Sequence, residues 1–165
     1  MTPLFLPPAE RRASAVRYGS LSFAAAAKPA VDAAFAYLSR DSVERALIDK
    51  LVTGPTHYRL ALDRHDDDSY DPNTRTIHWD PHSALLTTLG GRQSPALGLG
   101  HEIDHAVADP LVEERLANWP DPRYDNLEER RVILGSERHA AQTLHEAIRH
   151  DHAGTTYKVD SPIAR

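Results

Sequence analysis

The chain has no cysteine among its 165 residues. Disulfide bonds and thiolate metal sites are therefore excluded, so any bound metal must be held by His, Asp or Glu. No apolar run approaches the roughly 20 residues that a bilayer-spanning helix requires, so we expect no membrane insertion. The formal net charge is −5, whereas proteins that bind nucleic acids typically have an excess of basic residues. We therefore expect no nucleic-acid partner.

The length fits one domain with a substantial apolar core. Residues 1–24 contain three prolines and little periodicity, which predicts an extended or disordered lead-in, followed by a single domain over residues 25–165. The first residues also lack the basic segment and the long apolar segment of a cleavable signal peptide.

The most informative feature is an H-E-x-x-H pattern formed by His101, Glu102 and His105. Positions i and i+4 share one face of a helix, so both imidazoles can reach one cation at about 2.0–2.1 Å. Zinc lowers the pKa of a bound water to about 7. The carboxylate of Glu102, about 100° round the helix from His101, can accept the proton of that water. The spacing predicts one zinc ion per chain, with His101 and His105 as ligands and Glu102 as general base.

The residues before the motif are typical of a helix start. Ser94 is a good N-cap and Pro95 a good first helical residue. Gly98 and Gly100 lower helix propensity by about 1 kcal/mol each, but they also permit close packing. The alternative interpretation is an amphipathic helix with two solvated histidines and a surface glutamate.

A third protein ligand must come from farther along the chain. Residues 125–135 predict a second helix capped by Asn126, and we expect Glu129 to supply the ligand. Glu128 and Glu137 remain alternatives. Glu and Arg at i,i+3 and i,i+4 spacing would also suit an ordinary charged helix face.

The polar residues that follow offer candidates for stabilising the oxyanion that forms at an attacked carbonyl. Arg149 and Tyr157 are predicted for this catalytic role, with His145 as a further alternative. The sequence does not choose among them.

Periodicity predicts the remaining elements. We expect helices at residues 30–38, at residues 42–53 after a cap at Asp41 or Ser42, at 83–89 and at 136–150. Apolar and polar side chains alternate in residues 57–63 and 74–80, which predicts two strands that pair as a hairpin. The tail near residues 155–159 predicts an edge strand.

Several segments together resemble the bacterial effector zinc metallopeptidases. This family includes type III effectors of enteric and plant pathogens that cleave host MAP kinases, and toxin domains attached to type VI and Rhs proteins. The resemblance spans roughly residues 55–157 and rests on Tyr70-Asp71-Pro72, Ile77-His78-Trp79-Asp80-Pro81, Ser94-Pro95 before His101-Glu102-Ile103-Asp104-His105-Ala106, and Asn126-Leu127-Glu128-Glu129.

The resemblance implies a compact α+β, zincin-like metallopeptidase domain, with a small antiparallel β-sheet packed on helices that include the motif helix. It also implies a secreted effector that hydrolyses peptide bonds in a protein of a host or rival cell. An immunity protein or a secretion chaperone would then be an expected partner. The competing hypothesis is a non-enzymatic protein-binding module with a structural or degenerate zinc site.

Overall fold

The structure is a computed structural model that describes residues 14–64 and 68–165. It is a mixed α/β fold, as the sequence predicts. The helices are α1 Lys28–Leu38, α2 Ser42–Thr53, α3 Pro95–Val107, α4 Pro110–Ala117, α5 Leu127–Val132 and α6 Arg138–Leu144. The strands are β1 Ala15–Tyr18, β2 Leu21–Ala24, β3 Tyr58–Leu62, β4 Ser69–Asp71, β5 Thr76–Trp79, β6 Ser83–Thr87, β7 Arg92–Gln93, β8 Pro120–Asp121, β9 Asp125–Asn126 and β10 Gly154–Lys158.

The strands form three separate sheets. The largest has the order β1-β2-β3-β5-β4, a second has the order β10-β6-β7, and β8 pairs only with β9. The two smaller sheets are antiparallel. In the largest sheet β2, β3 and β5 run parallel, while β1 and β4 pair antiparallel at its edges.

Several local predictions agree with this fold. The structure has α1, α2 and α3 where the periodicity indicates, with Asp41 as the N-cap of α2 and Ser94 as the N-cap of α3. The tail forms the edge strand β10. Among the described residues, no helix is both long and apolar enough to cross a bilayer.

The helix predicted at residues 136–150 is shorter in the structure, where α6 ends at Leu144. Three other predictions are wrong. Strands β3 and β5 are neighbours but run parallel, so they form no hairpin and the main sheet is mixed rather than antiparallel. Residues 83–87 form a strand rather than a helix, because β6 lies between β10 and β7 and exchanges backbone hydrogen bonds with both. The boundary at residue 24 is also wrong for residues 14–24, since they form β1 and β2 and bury Leu21 and Phe23 in the core. The predicted lead-in at residues 1–13 lies outside the described residues.

Helix α3 lies at the centre of the molecule. Twelve of its 13 residues are buried, and it packs against α1, α2 and the β4–β5 side of the main sheet. Its start is held on two sides, since Trp79 Nε1 donates to the carbonyl oxygen of Pro95 at 2.8 Å and Ser94 Oγ donates to Glu146 at 2.7 Å. The H-E-x-x-H motif therefore sits on a fixed helix rather than on a surface.

A buried glutamate of α2 packs against Gly100 of α3. Glu44 on α2 is fully buried, and neither of its carboxylate oxygens has a hydrogen-bond partner among the described residues. A Cβ atom on Gly100 would lie only 2.5 Å from Glu44 Oε2, so this glycine allows the approach. Burial, together with the nearby charges of Asp104 and Asp41, raises the pKa of Glu44 to about 8.

This burial predicts a pH-dependent effect of Glu44→Gln. The pKa of Glu44 is raised from 4.5 to about 8 on folding, so between those values the unfolded chain has released a proton that the folded chain retains. Stability conferred by the protonated form is therefore lost as pH rises from about 4.5 to 8. Gln removes the charge, so the free energy of unfolding should increase by about 1–3 kcal/mol at pH 8 and change little at pH 4.5.

Denaturant unfolding at both pH values measures this effect. Glu114→Gln, at an exposed position on α4, is the control and should change stability little at either pH. An equal gain for Glu44→Gln at both pH values would contradict the proton-linked explanation.

Candidate metal centre

Two imidazoles and one carboxylate converge between α3 and α5. The Nε2 atoms of His101 and His105 lie 3.0 Å apart. The Glu129 oxygens lie 3.0 Å from Nε2 of His101 and 3.3 Å from Nε2 of His105. One donor atom of each residue lies within 4.8 Å of the other two, so the cluster could hold a metal ion. The structure thus brings together the three residues that the sequence predicted as ligands.

The two alternative third ligands have a different position. Glu137 accepts a hydrogen bond from Nδ1 of His101 at 2.8 Å, and Glu128 accepts one from Nδ1 of His105 at 3.1 Å. Because an ionised carboxylate only accepts, each Nδ1 carries a proton, and each Nε2 would offer its lone pair to a cation once its own proton is released. Glu128 and Glu137 therefore orient the imidazoles from behind, as carboxylates commonly do for metal-binding histidines.

An arginine holds each of these carboxylates. Arg149 donates to Glu137 from Nε at 2.8 Å and from Nη2 at 2.5 Å. Arg131 donates to Glu128 from Nε at 2.9 Å and from Nη2 at 2.6 Å. Burial by itself raises the pKa of both carboxyls, but the guanidinium and imidazole partners outweigh it, lowering the pKa of Glu128 to about 2 and that of Glu137 well below its usual range.

The carboxylates also change the proton affinity of the imidazoles. Burial by itself lowers the pKa of His101 and His105, yet hydrogen bonds to the surrounding glutamates raise these values to about 10 and about 9. Hydrogen bonds from both rings hold the pKa of Glu129 far below its usual range, against the opposing effect of burial. A cation entering the cluster must displace protons from the imidazoles, so metal binding should weaken as pH falls.

A break in the helix brings Glu137 to this position. Glu128 and Glu137 are nine residues apart, and on a continuous α-helix they would point in opposite directions at about 100° per residue. Residues Ile133–Glu137 instead form a wide π-helical turn with non-helical dihedral angles at Gly135. This kink turns Glu137 back toward α3, as π-type turns often do near functional sites.

Glu102 lies beside the cluster without joining it. Its Oε1 atom is 4.0 Å from Nε2 of His101, and its side chain is buried. Glu102 lines a cavity of about 180 Å³ next to His101 and another of about 280 Å³ next to His105. Burial raises the pKa of Glu102, while the nearby imidazoles partly oppose this rise. A carboxylate in this setting can accept a proton from a water molecule in either cavity.

Among the residues that the structure describes, three line both of these cavities: Glu102, Asp68 and His152. Neither Asp68 nor His152 was predicted from the sequence as a site residue. Nε2 of His152 lies 3.4 Å from Glu129 Oε2, and its Nδ1 lies 2.5 Å from Asp125 Oδ2. Asp68 has its pKa raised to about 8, mainly by burial. Neither residue has a spacing signal, because both reach the site from loops distant in sequence from the motif.

Of the three residues predicted to stabilise an oxyanion, Arg149 lies beside the cluster, whereas Tyr157 and His145 line neither cavity. The Arg149 guanidinium lines the smaller cavity but is bound to Glu137 through two nitrogens. The Arg92 guanidinium lies 5.5 Å from the centroid of the Tyr157 ring. His145 ends α6 in a left-handed conformation at an exposed position.

These contacts predict a ranking of metal affinities, which a competition titration with Zn²⁺ and a chromophoric chelator can measure. Glu129→Ala removes a donor of the cluster and should weaken zinc binding more than about 100-fold. Glu128→Gln and Glu137→Gln keep the side-chain size but weaken the support of one ring, which typically costs 10–100-fold.

Glu114→Gln serves as the control and should leave the affinity unchanged. Repeating the titration at pH 6 and pH 8 should give weaker binding at pH 6, because the imidazoles must lose their protons. A larger loss in Glu128→Gln than in Glu129→Ala would mean that Glu128 is the ligand.

No protein-family model, curated protein or solved structure matches this chain. The resemblance to effector metallopeptidases therefore stays a prediction that rests on sequence motifs.

Proposed function

We propose that this chain is a zinc metallopeptidase with a zincin-like fold. His101, His105 and Glu129 hold the zinc ion, and Glu102 is the general base. One observation carries the proposal: two imidazole nitrogens face each other at 3.0 Å while each ring donates its other nitrogen's proton to a carboxylate. Once both Nε2 protons are released, the two facing lone pairs repel unless a cation lies between them.

The donor set supports zinc among the biological metals. Imidazole and carboxylate ligands in a His₂Glu combination are typical of catalytic zinc sites, which keep one position open for water or substrate. Calcium and magnesium prefer sites built from oxygen ligands alone, which disfavours them here. The two supporting carboxylates further match the arrangement that raises the basicity of zinc-bound histidines.

The chemistry divides between the metal and Glu102. Zinc bound at this site would act as a Lewis acid and lower the pKa of a water molecule toward neutrality. Glu102 accepts the proton of that water as the oxygen adds to the peptide carbonyl, and then donates the proton to the departing amine. Burial raises the pKa of Glu102, which favours its uptake of the proton from the water molecule.

The biological setting follows from the family resemblance. We propose a secreted bacterial effector or toxin, delivered by a specialised secretion system, that cleaves a protein of a host or rival cell. Its partners would be that substrate and an immunity protein or secretion chaperone. The cavities on either side of the cluster are open to solvent on the described surface, which gives a polypeptide access to Glu102.

The substitution Glu102→Gln separates catalysis from metal binding. Gln keeps the size of the side chain but cannot accept the proton, so peptide hydrolysis should fall by about 10²–10⁴-fold. Zinc content and thermal stability should stay close to those of the unmodified protein, because Glu102 is not in the donor set. Zinc analysis, thermal unfolding and cleavage of a target-cell lysate, followed by mass spectrometry, measure the three quantities.

The alternative is a non-enzymatic binding module in which the metal only stiffens the fold. Glu102→Gln would then leave toxicity to the target cell unchanged. Full toxicity of this variant, with zinc retained, would contradict the peptidase proposal and favour the binding module.

A further inference from the structure

A third cavity, of about 480 Å³, lies at the carboxyl end of α3. It shares Tyr70, His105 and Glu113 with the cavity of about 280 Å³ that Glu102 lines beside the cluster. The two cavities therefore adjoin each other, and a peptide held at the cluster can extend from one into the other. The residues that line this distal pocket include Lys50, Tyr58, Tyr70, Arg75, His105 and Glu113.

Aromatic rings and prolines form part of the pocket wall. The rings of Tyr58 and Tyr70 are partly buried, and their centroids lie 6.4 Å apart. Pro55 and Pro72 line the pocket as well. These residues offer apolar surface on which the methylene groups of a long side chain can pack.

Two cations, Lys50 and Arg75, also line the distal pocket. Both side chains are exposed, and neither residue lines the cavities beside the cluster. Neither side chain has a hydrogen-bond or ion-pair partner among the described residues. Arg131 and Arg149 differ from them, because each is bound to a glutamate. The ammonium and guanidinium groups of Lys50 and Arg75 are therefore available to an anionic ligand.

The backbone holds Arg75 in an unfavourable conformation. Its φ is +52°, a left-handed value that a residue other than glycine or asparagine rarely adopts. The turn is fixed by Asp71, which accepts hydrogen bonds from the Asn73 N–H at 2.9 Å and from the Thr74 hydroxyl at 2.7 Å. Arg59 of β3 donates its backbone N–H to the Arg75 carbonyl oxygen at 3.0 Å. Glycine would suit this backbone better, so an arginine here suggests a function for its side chain.

The acidic residues of the pocket do not neutralise these cations. Asp109 caps α4, because its side chain accepts hydrogen bonds from two backbone N–H groups of the first turn at 2.9 and 3.4 Å. Glu113 also lines the cavity beside the cluster, so its charge lies at the end of the pocket nearest the candidate metal centre. Lys50 and Arg75 line the distal pocket alone, which makes its outer end positively charged.

We propose that the distal pocket binds an acidic side chain, Asp or Glu, of the substrate polypeptide, and that Lys50 and Arg75 are specificity-determining residues. The inference rests on the proposed peptidase function and names its substrate class. The carboxylate accepts charge-assisted hydrogen bonds from the two cations, while its methylene groups pack on Tyr58 and Tyr70. His105 borders both the cluster and the pocket, and an extended chain rises ~3.3 Å per residue. The acidic residue therefore lies within about three residues of the cleaved bond.

The test begins with the zinc-loaded full chain and a proteome-derived peptide library, with cleavage sites identified by mass spectrometry. One position within about three residues of the cleaved bond should be enriched in Asp and Glu. Three synthetic peptides of the best-cleaved sequence, with Glu, Gln or Lys at that position, then serve for kinetics. The Glu peptide should have a kcat/KM about tenfold above that of the Gln peptide, mainly through a lower KM, and the Lys peptide should be cleaved least.

Binding is measured separately from hydrolysis. Fluorescein-labelled forms of the three peptides are titrated with zinc-loaded Glu102→Gln protein, and fluorescence anisotropy reports their affinities without turnover. The order should again be Glu, then Gln, then Lys. Raising the ionic strength from about 0.05 M to about 0.5 M should reduce the difference between the Glu and Gln peptides, because salt screens exposed charges.

Two pairs of substitutions assign the preference to the cations. Combining Lys50→Gln with Arg75→Gly should bring the Glu and Gln peptides within about twofold of each other. This pair should fold, because Lys50 is exposed and glycine suits the φ of residue 75. Combining Lys50→Glu with Arg75→Glu should reverse the order, so that the Lys peptide becomes the best substrate. Arg45→Gln is the matched control, since Arg45 is an exposed cation of α2 that lines none of the three cavities, and it should leave the preference unchanged.

The outcomes separate this inference from the proposed function. An unmodified protein that binds zinc but cleaves no peptide overturns both. An active protein with no acidic preference in cleavage or in binding overturns only the role of the distal pocket. A preference that survives in the Lys50→Gln, Arg75→Gly protein, or that Arg45→Gln reduces equally, also overturns that role.

Discussion

The hydrogen bond from each histidine Nδ1 to its own carboxylate is the contact on which the rest of the site depends. Without it, an imidazole could carry its proton on either nitrogen and rotate about its side-chain bonds. Glu137 and Glu128 fix the proton on Nδ1 and leave Nε2 directed at the cluster. Arg149 and Arg131 keep these carboxylates ionised. The two arginines do not touch the Nε2 donor atoms, but they hold the carboxylates that orient the imidazoles. They therefore help to set the geometry of the candidate metal centre.

This arrangement requires several buried charges around one helix. Asp104 on α3 is buried and accepts hydrogen bonds from both Arg131 and Ser136. Taking such groups out of water is costly, and pairing often returns no more than the cost of desolvation. Glu44 is a clearer case, because its buried carboxyl has no partner among the described residues. The stability of the domain must therefore come mainly from the apolar core around α1, α2 and α3.

Local signals could be read directly from the sequence. Ser94 and Asn126 cap their helices by accepting backbone N–H groups of Leu97 and Glu129, as expected from residues three positions apart. The same local geometry placed His101 and His105 on one face. The direction of strand pairing could not be read in this way. Strands β3 and β5 pair in parallel because β4 folds back along the outer side of β5, and alternation of side chains is identical in parallel and antiparallel strands.

The separate roles of the acidic residues could not be predicted from local sequence patterns either. Adjacent Glu128 and Glu129 differ only in which side of α5 they occupy, and the crossing of α5 over α3 decides which one reaches the cluster. The kink at Gly135 directs Glu137 to His101. His152 and Asp125 meet only because the β8–β9 turn and the loop before β10 lie side by side. This pairing depends on tertiary structure, so it could not be predicted from the spacing of residues in the sequence.

The position of Glu102 supports the proposal of a reactive metal centre over one that only stiffens the fold. A structural site needs its ligands and their supporting groups, and this site has both without Glu102. Burying one more carboxylate beside the cluster costs stability, since burial raises its pKa and opposes its charge. Costly groups of this kind are expected where function requires them. Glu102 faces both cavities, and Nε2 of His101, its ion-pair partner among the described residues, lies 4.0 Å away, which leaves the carboxylate available to a water molecule.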